Sequence, residues 1–148
     1  MDQPPVPVAD AERLLAAFGY WPSFHDAEVH RAELDRGGPD RPPSVTLLVN
    51  AYDSDGVVNA RGYYGVRTDV MVTLRFEDVA DLELRDLGVQ NVLSHLGLEP
   101  QAGGRVAVEL GPCYGLSGVF TCAAVAVLAV HPRVPPAGPG AGSPAAAA

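Results

Sequence analysis

Asp26, Glu28 and His30 stand at i, i+2 and i+4, with His25 beside the first of them, in the stretch WPSFHDAEVH. A regular strand sends alternate side chains to one face, so the three would share a side and offer oxygen and nitrogen donors to a metal. One reading of this spacing is a small metal-dependent hydrolase or transferase using His25, Asp26, Glu28 and His30. The other is structural: Trp21 and Phe24 anchor a turn, Pro22 stiffens it, and His25 or Asp26 satisfies local backbone groups. The structural reading is preferred, because one strand edge rarely supplies a full ligand set and no HExxH or CxxC accompanies it. Neither a metal nor another cofactor is expected.

Nucleophilic chemistry has no better footing. Ser117 in YGLSG is not placed as in G-x-S-x-G, and neither Cys113 nor Cys122 has an evident His base in the sequence. All ten basic residues are Arg, so a Schiff-base lysine and a P-loop lysine are excluded. The expectation is a protein that is not an enzyme.

Charge points toward binding instead. The net charge of −8 argues against nucleic acid, which needs a concentrated cationic face, and suits a basic partner. Within residues 75–86, Glu77, Asp78, Asp81, Glu83 and Asp86 face only Arg75 and Arg85, a local charge of −3. On an edge or an open face such a run steers a cationic partner. No run of about eighteen apolar residues is present, and the first residues lack the basic and apolar regions of a signal peptide. A cytoplasmic location with no membrane contact is expected, and two free thiols fit it.

The elements that must position these groups follow from periodicity. With 148 residues and 47 % hydrophobic content, one core is expected. Residues 1–8 read as a flexible N-terminus, 9–132 as a single α+β domain, and 133–148 as a disordered Pro/Ala/Gly-rich tail. Asp10 is placed to cap a first helix whose apolar face is Ala11, Leu14, Leu15 and Phe18, with Gly19 as its stop. A strand over 27–34 changes parity midway, so a bulge near His30 and Arg31 is expected. SVTLLVNAY and VMVTLRF alternate as strands, joined by the long glycine-punctuated connection DSDGVVNARGYYGVRTD. ADLEL and RVAVEL add strands. GVQNVLSHLG reads as a second helix carrying Val89, Val92, Leu93 and Leu96 on one side. VFTCAAVAVLAV, apolar on both parities, reads as a central strand covered on both faces. The sum is a mostly antiparallel sheet of five to seven strands with two helices packed on it.

FGYWPSFHDAEVHRAELDR, then VTLRFEDVADLELRDLGVQNVL, then GLSGVFTCAAVAVLAVHP, together resemble the immunity protein 50 family of bacterial polymorphic-toxin systems. The WPSFHDAEV block is the specific part, and the Gln90–Asn91 pair belongs to the looser remainder. The resemblance implies a non-enzymatic cytoplasmic inhibitor that binds a cognate toxin domain and neutralises it; beside the metal-dependent enzyme, the alternative is a regulatory binding module without a toxin partner. Trp21, Pro22, Phe24, His25, Asp26, Glu28, Gln90 and Asn91 would then mark the scaffold. The expected toxin contacts are the long connection, with Asp53, Asp55, Tyr63 and Tyr64, and the acidic run, with Glu77, Asp78 and Asp81. Tyrosines anchor interfaces at little entropic cost, and the acids suit a cationic effector such as a nuclease.

Overall fold

A computed structural model describes residues 3–58 and 64–133. One helix, α1 (Glu12–Phe18), precedes eight strands: β1 (Glu28–Asp35), β2 (Ser44–Val58), β3 (Tyr64–Glu77), β4 (Ala80–Arg85), β5 (Val92–Pro100), β6 (Val106–Tyr114), β7 (Ser117–Cys122) and β8 (Ala124–Pro132). A single 3-10 turn spans Ala102–Gly104 between β5 and β6. The strands form one sheet in the order β4-β7-β6-β5-β1-β2-β3-β8, with every ladder antiparallel. The α+β class and the antiparallel sheet stand. The expected five to seven strands become eight, and the two helices become one short α-helix among the described residues.

The sheet consists of two four-stranded halves that share one core. Val45, Leu47 and Val49 of β2, Val72, Leu74 and Phe76 of β3, and Val125 and Val127 of β8 cluster with Leu93, Leu96, Val108, Leu110, Phe120 and Cys122 from the other half. Phe76 and Phe120 meet across it edge to face, with ring centroids 5.2 Å apart. Leu14 and Phe18 of α1 and Val6 upstream add to the same cluster. Ala9 pairs in parallel with Ala126, donating its N–H to Val125 O and accepting from Val127 N, so the outer edge of β8 is occupied there.

Two joins hold the halves together. At the corner, β3 runs through Asp78 and Val79 into β4, and β7 runs through Ala123 into β8, so the β3–β8 pair continues as the β7–β4 pair. At the seam, β1 meets β5 in a single ladder pair, Glu28 with Val92.

Three local expectations are corrected. GVQNVLSHLG contributes most of β5 and forms no helix. The register shift between Leu93 and His95, where Ser94 is skipped, places buried Leu93 and Leu96 three residues apart, which imitates a helical face. VFTCAAVAVLAV is not one central strand: it breaks at Ala123, and β8 ends the sheet. The parity of inward residues changes there, from Phe120 and Cys122 to Val125 and Val127, so both parities are apolar. Asp10 does not cap α1 through its side chain; it takes φ 58°, and Ala11 is the N-cap. Gly19 does end the helix in the left-handed conformation, donating to Leu15 O at 2.7 Å. The bulge in β1 lies between Val29 and Arg31, where His30 is skipped, so Ala32 and Leu34 align with Leu47 and Val45.

Candidate functional site

The WPSFHDAEV stretch builds the seam. Phe24 is 3 % exposed and packs edge to face against Trp21, which lies half-buried on the core, and Pro22 is buried. Phe24 and Asp26 take φ of 64° and 67°, conformations that L residues adopt only where surroundings impose them. That tight turn aims the backbone sideways at β5. Asp26 N donates to Leu93 O, Leu93 N to Ala27 O, and Val29 N to Asn91 O, each at 2.8 Å, with Leu96 N to Ser23 O at 3.3 Å. Two of these bonds make the single ladder pair, and the other two reinforce it.

Asn91 completes the join from the other side. Its side chain is buried, and Oδ1 accepts from Gly88 N at 2.9 Å and from Leu116 N at 3.0 Å while Nδ2 donates to Gly88 O at 2.9 Å. One amide therefore ties residues 86–90 to the β6–β7 turn. Gly115 in that turn has φ 70°, and a Cβ there would stand 2.3 Å from Gln90 O, so only glycine fits.

Beside the seam is an open cleft of about 420 Å³ lined by Asp26, Glu28, Asn50, Tyr52, Asp69, Gln90, Val92 and Arg133. Asn50 Nδ2 donates to Asp69 Oδ1 at 2.7 Å and Val70 O at 3.1 Å, and Arg133 donates to Asn50 Oδ1 at 2.9 Å. Three carboxylates stand against one guanidinium in this lining. Burial, followed by the charges of Asp26 and Asp69, raises the Tyr52 phenol above its ordinary value. A smaller hollow of about 250 Å³ continues the cleft past Asp26 and Tyr52 to Tyr20, His25 and Asp53. There the Tyr20 hydroxyl donates to Asp53, which also accepts from Thr68 N at 3.2 Å.

The four residues of the metal reading do not converge. His25 Nδ1 lies 3.2 Å from Asp26 Oδ2, and His30 Nε2 lies 3.8 Å from Glu28 Oε1, as two separate exposed pairs. Among the described residues, no group of three or more His, Cys, Asp or Glu side chains is placed to hold a metal ion. Sequence reasoning missed one chain of polar groups: Ser94 Oγ lies 3.1 Å from His95 Nδ1, and His95 Nε2 lies 3.2 Å from Glu109 Oε1. Its order imitates a catalytic triad, yet it lies open to solvent, with the His95 ring laid over Gly111, where a Cβ would meet it at 2.2 Å. Solvent screens that pair, and the two glycines Gly97 and Gly111 account for the ring's position.

The acidic run lies at the corner, where several of its charges are already engaged. Arg75 Nε stands 2.5 Å from Glu77 Oε2, a close ion pair without hydrogen-bond alignment. Arg105 donates to Asp78 Oδ2 at 3.2 Å, Asp78 O at 2.8 Å and Thr121 Oγ1 at 3.1 Å. Asp81 instead lines a groove of about 390 Å³ with Glu83, Glu99 and Glu109 over Gly97, Ala107 and Val119. Of the expected hairpin contacts, Asp55 lies in β2 and Tyr64 begins β3, while Tyr63 lies outside the described residues.

The family model for immunity protein 50 matches residues 10–133, from the turn before α1 to just past β8. The chain belongs to the immunity protein 50 family. No curated protein and no solved structure matches it. In this immunity protein 50 chain the WPSFHDAEV block and Asn91 are the pieces that close the seam. Among the described residues no helix is long and apolar enough to cross a membrane.

Proposed function

We propose that this chain binds a cognate polymorphic-toxin domain in the cytoplasm and neutralises it by occupancy, catalysing nothing itself. Membership of the immunity protein 50 family across residues 10–133 is the observation that carries this reading. The net charge of −8 favours a cationic effector, whose approach it would accelerate. Candidate contacts in this reading are Asp53, Asp55, Tyr63 and Tyr64 of the stretch 53–64, and Glu77, Asp78 and Asp81 of the acidic run. Asp81 is the acid of that run best suited to a partner, because it is exposed on edge strand β4 and lines an acidic groove.

Titrating the activity of the toxin domain encoded beside this chain tests the proposal. Activity should fall to background at about one equivalent, with a complex on size exclusion. Full toxin activity in a large excess of folded chain would contradict it.

A further inference from the structure

Residues 86–90 leave two large apolar side chains in water: Leu87 is 69 % exposed and Val89 105 %. Single exposed apolar residues need no explanation, but these two ride on a loop that cannot fold them back. Buried Asn91 bonds Gly88 on both its N–H and its carbonyl, and Val29 N holds Asn91 O at 2.8 Å. Gly115 packs against Gln90 O, and Tyr114, 62 % exposed, stands in the ladder opposite Val92. The fold thus spends a buried amide with three bonds on holding a loop whose apolar side chains contribute nothing to its own core. Such a rigid, preorganised apolar projection loses little entropy when covered.

The next residue, Gln90, lines the cleft that holds Asp26, Glu28 and Asp69. Apolar knobs and a carboxylate-rich hollow are therefore linked through Gln90 along one short stretch of chain. We infer that this composite surface is the docking face for the toxin domain: Leu87 and Val89 seat in an apolar recess of the partner, and a cationic side chain of the partner enters the cleft. The inference rests on the immunity reading and names its surface. The excess of carboxylates over Arg133 in the cleft fixes the sign of the partner's charge. Tyr52 in the same lining offers a hydroxyl oxygen as acceptor and a ring face to a guanidinium.

The experiment is calorimetric titration of the full chain with the purified toxin domain encoded beside it. It compares wild type, the double variant Leu87→Asp with Val89→Asp, and Glu28→Gln, each checked by thermal melting. The account expects roughly 100-fold weaker binding for the double variant with its melt unchanged. For Glu28→Gln it expects about tenfold weaker binding and a shallower salt dependence. Wild-type binding that neither variant alters by more than about twofold would overturn the docking face while leaving the immunity reading intact. Failure of the wild type to bind an active toxin domain would overturn the immunity reading and the docking face together. A concentration-dependent dimer lost in the double variant, with toxin affinity unchanged, would assign the loop to a second copy of this chain and also overturn the inference.

Discussion

The two halves of the sheet are joined twice, and the joins differ in kind. The seam uses backbone hydrogen bonds, two left-handed non-glycine residues and a buried amide with three bonds. The corner uses chain continuity and ion pairs close to water, Arg105 with Asp78 and Arg75 with Glu77. Buried, fully bonded groups are costly to remove, whereas exposed ion pairs contribute little. The densest charge in the sequence therefore need not be the charge offered to a partner. At the corner two of the carboxylates hold arginines of the same chain, whereas at the seam Asp26 and Glu28, each beside a histidine, line an open cleft.

This contrast can be broken by mutation. Asn91→Ala should cost about 3 kcal/mol, since it strands the buried Leu116 N–H and both polar groups of Gly88. Urea unfolding measures it, and a change under about 1 kcal/mol would remove the seam from its central place. At the corner, burial pushes the Cys122 thiol up to about 11 from 9.0. The unfolded thiol ionises first as pH rises, so stability should be level below about pH 9 and fall toward pH 11. Comparing urea midpoints at pH 8 and 10.5 checks this, because Cys122→Ala should lose that part of the slope. Arg105→Ala should cost only about 1 kcal/mol, its partners at Asp78 being largely exposed. The smallest effect belongs to Leu87→Ser with Val89→Ser, expected within about 0.5 kcal/mol of wild type by thermal melting. A larger loss would mean that these side chains support the fold after all.

Much of the fold was legible because most strands keep their period. β2 and β3 alternate cleanly, and the parity change in β1 announced its bulge before any coordinates did. The losses came where the period breaks without a turn signal. A bulge at Ser94 gave β5 helical spacing, and the corner at Ala123 merged two strands into one apolar run. Gly56 hid the strand course of residues 53–58 within β2, so a long loop was expected where β2 and β3 continue their hairpin. At the candidate site, Trp21, Pro22 and Phe24 showed in the sequence as residues of a turn. Their partners did not, because Leu93, Asn91 and the β6–β7 turn approach only through the tertiary fold. Tyr52 and Asp69 were invisible as cleft residues for the same reason: an antiparallel pairing places them side by side. No periodicity in either strand alone could have marked the pair.

The most direct measurement is survival of cells that express the toxin domain encoded beside this chain, with and without the chain. The account predicts rescue to the level of toxin-free cells, and loss of rescue in the Leu87→Asp, Val89→Asp variant at equal folded abundance. Undiminished killing by an active toxin in the presence of abundant folded wild-type chain would contradict the reading of this chain as its immunity protein.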